Sequence, residues 1–350
     1  MLPGNKRPTI KDVAAAAKVS PATVSLALNS KGGVSETTAE RVREIARDIG
    51  YTPNALARGL QRSSIGMIGL VIRPLDTLES FLPAGVDFFL RLTGAASLAA
   101  LERGYTLMLV TDPSKPDSPL SALAADAYIV TEPHENDPVL TMLAGERIPF
   151  VTIDHDPARP DAFPAFRARA TNQVQTMLAH LVEAGAQRVA LVTGTDPNAW
   201  NIESRDEYLK WCAASGRSPQ LLSYPETAGS AVGDDVIDAL FGASPTLPLS
   251  SPAPDAIFCL TGRHAAGVTE AAIARGIRVP EDLLVAGGSG AIINQTSKPT
   301  VTTFDLQPEA VGALAVDAAV KLAERKPLEG PLESPPALIQ VRESTTRSQH

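Results

Sequence analysis

Apolar positions recur along this chain with two rhythms, one over the first fifty residues and another beyond residue 63. Ile10, Val13, Ala14 and Ala17 share one face of a short helix that Thr9 can cap. Ser20 followed by Pro21 restarts a helix, because serine is a favoured N-cap and proline fits the first helical position. That second helix runs to about Leu28 with Val24 and Leu28 inward, leaving Ala22, Thr23, Ser25 and Leu26 to face outward. Ser35 caps a third helix whose inner face is Val42, Ile45 and Ile49 and which Gly50 closes. Two helices joined by so short a turn form a helix-turn-helix, whose second helix can enter a major groove.

After Ser63-Ser64 short apolar runs alternate with longer helical stretches. Strands are predicted at 67–72, 106–110, 127–130 and 150–153, with helices over 89–103, 120–125 and 138–144. The rhythm resumes with helices over 173–184, 203–215, 234–241 and 265–275 and strands at 189–193, 221–223, 256–260 and 283–286. Such alternation gives parallel sheets covered by helices on both faces, here as two doubly wound halves in series. The expected fold is therefore an all-α head followed by an α/β body.

Charge sharpens this division. The whole chain carries a net −8, yet residues 1–63 hold ten Lys/Arg against five Asp/Glu, a net +5 that leaves −13 for the remainder. A basic head on an acidic body can meet phosphates with one end while the other is repelled. The two cysteines, Cys212 and Cys259, lie far apart in apolar surroundings, which suits a reducing compartment and argues against a disulfide or zinc framework. Met1–Pro8 is polar and basic, unlike a signal peptide, and no apolar run reaches the ~20 residues of a membrane helix, so a soluble cytoplasmic protein is expected.

The run from Thr9 to Asn29, then Val34-Ser35, then Gly50-Tyr51-Thr52-Pro53-Asn54-Ala55-Leu56-Ala57-Arg58-Gly59-Leu60 closely resembles the lactose-repressor (LacI/GalR) family of transcriptional regulators. The resemblance implies that Thr9, Ser20, Thr23, Ser25, Asn29 and Ser35 hydrogen-bond phosphates, and that Pro21, Ala22 and Leu26 lie against base edges, with Ile10 and Tyr51 in the same DNA-binding set. Leu26 departs from the basic or polar residue common there and should favour thymine-methyl contact. Residues 54–62 would be a hinge that folds only on DNA, Asn54 at its start, Ala57 and Arg58 near the minor-groove floor, and Leu60 wedged between the central base pairs. Two hinges meeting at one palindromic operator require a homodimer, and the tail after 341 has no leucine heptads for a tetramer.

The body resembles the periplasmic sugar-binding fold that the family uses as its sensor. The expected division is a head over 1–62, one half over 63–158 plus 294–326, and the other over 159–293 plus 327–350. A small-molecule effector, a sugar or sugar derivative, would bind in the cleft outside the strands' C-terminal ends. By resemblance or by their place at strand ends, Phe88, Phe89, Asp154, Trp200, Arg205, Arg263 and His264 are its expected lining. Departures stand out: Gly262 replaces an acid, Gly287-Gly288-Ser289-Gly290 replaces a turn with an aromatic and two acids, and Ala168 stands where an acid is common. With Arg205, Arg263 and His264 in place the cleft should be relatively positive, which fits an anionic or hydroxyl-poor effector, or a cleft that has lost binding.

Rival functions find little support. The five histidines (His134, His155, His180, His264, His350) are scattered, and no nucleophile elbow, phosphate-cradling glycine loop or metal-spaced cluster is visible, so neither catalysis nor a cofactor is expected. A secreted solute-binding protein would share the body but not the head. Among regulators a repressor is favoured over an activator, because a dimer clamped on a kinked site blocks polymerase.

Overall fold

A short polar side chain precedes each helix of the head and sets where that helix begins. The computed structural model describes residues 8–28, 33–51, 64–73, 87–242 and 252–347. It divides into two compact units, Met1–Ile65 and Gly66–His350. In the first, α1 (Ile10–Ala17) starts where the Asp12 carboxylate accepts from the amide and hydroxyl of Thr9, both at 2.7 Å. The Oγ of Ser20 accepts from the Thr23 amide at 3.0 Å and opens α2 (Pro21–Leu28); that of Ser35 accepts from the Thr38 amide at 3.4 Å and opens α3 (Glu36–Asp48). Val13, Ala14, Ala17, Val24, Ala27, Ala39, Val42 and Ala46 form the core between them. Five of these eight are alanine, so the helices approach closely, and Leu28, Ile45 and Ile49 sit at the rim, half-buried.

The body holds two sheets. The first has the order β2-β1-β3-β4-β5, all parallel, with β1 (Met67–Ile72), β2 (Thr106–Val110), β3 (Ala127–Thr131), β4 (Phe150–Ile153) and β5 (Ala165–Phe166). On its faces lie α4 (Asp87–Glu102) and α5 (Pro138–Gly145). After α6 (Ala170–Glu183) come β6 (Val189–Thr193), α7 (Ala199–Ser215), β7 (Gln220–Ser223), α8 (Gly233–Phe241), β8 (Ala256–Cys259), α9 (Gly262–Ala274), β9 (Leu284–Gly287), α10 (Ile292–Thr296) and β10 (Thr302–Asp305). The chain ends with α11 (Pro308–Ala323) and β11 (Leu338–Gln340). The second sheet has the order β11-β10-β9-β8-β6-β7, parallel except for β11.

The halves exchange chain at places other than those expected from sequence. Residues 159–166 stay with the first half, because β5 pairs with β4, the Asp154 amide donates to the Phe166 carbonyl at 2.7 Å and Phe166 is in the first core. Conversely, β10 belongs to the second sheet, where Thr302 and Thr303 pair with Ala286 and Gly287, so the return crossing falls between Asp305 and Pro308 rather than at 293–294. From there α11 packs on α4 in the first half, and β11 pairs with β10 in the second. The helix expected over 120–125 is a four-residue 3-10 turn, Leu120–Leu123, whose first leucine is 94% exposed while Ala122 is buried.

Candidate functional site

Two surfaces concern function, one on each unit. On the head, Thr9, Ser20, Pro21, Ala22 and Ser35 are exposed, while Ile10, Thr23, Ser25, Leu26 and Tyr51 are half-buried. Ile10 and Tyr51 pack at the edge of the head's core. The polar caps are already engaged: the Thr9 hydroxyl donates to Asp12, Ser20 Oγ lies 2.9 Å from Thr23 Oγ1, and Ser35 Oγ lies 2.9 Å from Thr38 Oγ1. Asn29, Asn54, Ala57, Arg58 and Leu60, with the rest of the hinge at 54–62, lie outside the described residues.

In the body, a cavity with roughly 1090 Å³ of non-protein space, part of it open to solvent, lies at the C-terminal ends of the strands of both sheets. This is where parallel α/β sheets place their ligands. Phe88, Phe89, Asp154, Trp200 and Arg263 line it. The rings of Phe88 and Phe89 meet edge to face, centroids 5.3 Å apart, with Phe89 buried in the first core.

Arg205 and His264 do not line this cavity among its described residues. The Arg205 guanidinium turns to Asp206, whose Oδ1 accepts from its Nε at 2.9 Å. His264 is buried inside α9's contacts with its Nε2 3.3 Å from the Pro225 carbonyl, and burial lowers its pKa, which leaves it neutral at pH 7. The expected positive cleft therefore does not form. Among the described residues, Asp87, Glu132, Asp154 and Glu226 all line the cavity, with Arg263 as the single cation of the lining. The Arg263 Nη2 donates to the Glu226 carbonyl at 2.9 Å; burial lowers its pKa, and nearby Asp87 opposes that.

Sequence reasoning missed Asp87, Glu132, Gln173, Asn198, Asn201 and Glu226. Glu132 follows β3 as Asp154 follows β4, so the strand-end rule that selects one selects the other. Burial, then repulsion from Asp154, Glu226 and Asp196, pushes the Glu132 carboxyl up to about 8. Asn198 Nδ2 donates to Glu132 Oε2 at 3.4 Å, and the Glu135 amide donates to the Pro197 carbonyl at 2.8 Å, tying the two halves beside the cleft. His155 adds a third tie, with Nδ1 3.0 Å from Asp154 Oδ1 and Nε2 3.1 Å from Glu203 Oε1. The two carboxylates, Asp154 first and Glu203 next, push it up to about 9.

Gly262 has a steric reason. A Cβ there would lie 2.3 Å from the Ser289 carbonyl oxygen and 2.4 Å from Asn294 Oδ1. Buried Asn294 fixes this corner by donating to the Gly262 carbonyl at 2.8 Å and accepting from the Ala291 amide at 2.9 Å. No acid fits at 262 in this backbone, and the acids of the cleft come from other elements.

A capped three-helix head and a two-sheet body with a cavity at the strand ends define a DNA-binding regulator with a binding-protein-like body. Residues 9–54 match the family model of bacterial regulatory proteins, lacI family, and residues 178–345 match that of the periplasmic binding protein-like domain. The ribose operon repressor of Halalkalibacterium halodurans is 30% identical over 347 residues, 96% of this chain and 97% of the relative. A structure of the lac repressor dimer bound to operator and the anti-inducer ONPF shares the fold, with a TM-score of 0.77, 20% identity and coverage of 98% of this chain and 100% of that one. A complex of the transcriptional regulator CelR with cellobiose gives 0.67 at 22% identity, covering 97% and 100%. The chain belongs to the lacI family of bacterial regulatory proteins. It is a DNA-binding transcriptional regulator, and its relatives are regulators rather than enzymes. Among the described residues no helix is long and apolar enough to cross a membrane.

Proposed function

We propose that this regulator is a repressor that grips a palindromic operator as a homodimer, and that a small molecule held in the cleft of the body changes its affinity for DNA. The observation that carries the second part is the formed, aromatic-walled cavity at the strand ends, bordered by Leu306 and Val311 where the chain passes from one half to the other. A ligand touching both halves and the strap between them binds one relative arrangement better than another, which is what shifting a two-state equilibrium requires. The relatives support the assignment: one is a ribose operon repressor, one was solved on its operator as a dimer, and one was solved with cellobiose. A formed cavity also favours a working site over a degenerate one.

The proposed dimer has support in exposed apolar surface. Leu98 and Leu101 on α4 are 65% and 64% exposed, and Leu109 on the edge strand β2, which packs with α4, is 47% exposed. Leucines gathered on adjoining elements suit burial against a second copy. A DNA partner supports a cytoplasmic location for the working protein.

Selection of binding sites from random duplexes with the purified chain, followed by footprinting, tests the reading. A two-fold symmetric site is expected, and Leu60→Ser should weaken binding to it by about 2 kcal/mol or more, the scale of an unstacked step left unfilled. Enrichment of no symmetric sequence, with the Leu60 variant binding like wild type, overturns it.

A further inference from the structure

The cleft's charge points to the class of its ligand. Among the described residues four carboxyl groups line it (Asp87, Glu132, Asp154 and Glu226), with Arg263 as the one cation of that lining. All four have partners within the protein: Asp87 accepts from the Ile292 amide, Glu132 Oε2 from Asn198 Nδ2 at 3.4 Å, Asp154 Oδ1 from the His155 amide at 3.0 Å with the His155 ring nitrogen Nδ1 also 3.0 Å away, and Glu226 Oε1 from Asn201 Nδ2 at 2.6 Å. A second, independent feature also asks for a donor. Gln173, in the first turn of α6, is only 7% exposed and lines the same cavity. Its amide orientation is fixed by Nε2 donating to the Ala168 carbonyl at 2.5 Å, which leaves Oε1 buried with no partner among the described residues. A buried acceptor left unsatisfied is costly, so a ligand N–H or O–H group that reached this oxygen would be favoured.

We propose, building on the cleft as the effector site, that its effector is a small organic cation, a molecule bearing a protonated amine beside an apolar or ring portion. The amine brings donors to Gln173 Oε1 and the carboxylates and supplies the charge that the acidic lining lacks. Phe88 and Trp200 offer ring surface to the remainder, and an ammonium beside such faces is favoured further. An anionic ligand would face the same carboxylates at a large electrostatic cost.

Among the described residues the groups facing Glu132 are Asp154 at the end of β4, Glu226 and Asp196 from the second half, and Asn198, with the cationic His155 ring behind Asp154. An ammonium arriving there lets Glu132 ionise, so binding at pH 7 releases a proton to the buffer.

The test uses the full chain and pairs of compounds differing only in the amine: glucamine against sorbitol, glucosamine against glucose, and phenethylamine against phenethyl alcohol, with glucose 6-phosphate as the anion. Thermal melting and calorimetry at pH 7 should find an amine that binds at least about tenfold more tightly than its alcohol partner. Calorimetry in buffers of different ionisation enthalpy should then detect close to one proton released per amine bound. Glu132→Gln should remove both the preference and the proton release while the protein still melts cooperatively. Alcohols or the phosphate binding as tightly as the amines would overturn the proposal. A neutral polyol that binds and alters DNA affinity would sink the cation while leaving the cleft as effector site. No shift from any compound, with DNA affinity unchanged throughout, would sink both.

Discussion

Glu132 and His155 both hold protons more tightly in the folded chain than alone, for opposite physical reasons. Glu132 is raised from 4.5 to about 8 because burial and neighbouring carboxylates penalise its anion. His155 is raised from 6.5 to about 9 because Asp154 and Glu203 reward its cation. In each case the folded state retains a proton that the unfolded chain has released, so stability falls as pH rises, from 4.5 to 8 for the glutamate and from 6.5 to 9 for the histidine. The variants separate them. Glu132→Gln should match wild type near pH 4 and gain melting temperature as pH rises, levelling above 8, by on the order of 5 °C. His155→Gln should lose a similar amount below pH 6.5 and converge with wild type above 9. Melting curves between pH 4 and 10 check both, and parallel curves for either variant would remove the corresponding assignment. At this scale the sequence was legible wherever one rule sufficed: Phe88, Phe89, Asp154, Trp200 and Arg263 sit at strand or helix ends and do line the cavity. Gln173 and Glu226 were not legible, because they reach it from the first turn of α6 and from the turn after β7, whose convergence no spacing records.

Among the elements, α4 and α11 approach closely. Gly312 of α11 faces the backbone of α4, and a Cβ there would lie 2.8 Å from the Leu92 carbonyl oxygen. Helix propensity alone favours Gly→Ala by about 1 kcal/mol. At Gly312 the steric term wins, so Gly312→Ala should lower body stability by about 1–3 kcal/mol net. At Gly94, exposed on α4 with nothing within 4 Å of the added carbon, propensity is unopposed, and Gly94→Ala should stabilise by roughly 0.5–1 kcal/mol. Urea unfolding followed by circular dichroism should show the two midpoints moving in opposite directions with unchanged slopes; movement in the same direction would remove the close-contact argument. Strands were read well from sequence, with β1, β2, β4 and β6 found at the expected bounds, because each is a dense apolar run between breakers, fully covered in β4 and β6 and left partly open in the edge strand β2. Helix starts were read late. α7 begins at Ala199, where Asn198 Oδ1 accepts from the Asn201 amide at 2.9 Å, and α9 at Gly262, where Thr261 Oγ1 accepts from the His264 amide at 3.3 Å. Their first turns face the cleft and are partly polar, so the apolar period that marks a helix begins a turn after the helix does. β5, two residues long, carries no periodic signal at all.

At the scale of the whole molecule, the head's +5 and the body's −13 make DNA affinity a function of salt in two regimes. Each phosphate neutralised by the head releases counterions, so log K falls steeply with log salt concentration, by ~0.9 per phosphate contact. Exposed charges act over only ~8 Å at 0.15 M salt but ~30 Å at 0.01 M. The body's net negative charge should therefore oppose binding more strongly at the lower concentration than at the higher one. The log–log plot should bend below the straight line extrapolated from moderate salt as the concentration drops towards 0.01 M. Neutralising three exposed acids of the body together (D117N, E146Q and E329Q) should straighten it, tightening binding several-fold at 0.01 M and leaving it unchanged at 0.15 M. Fluorescence anisotropy titrations over that range with a short duplex measure both effects. A plot that stays linear in wild type, or a triple variant that tightens binding equally at both salts, would mean that the acidic body has no long-range influence on the phosphates and that the head's own contacts account for the whole of the salt dependence.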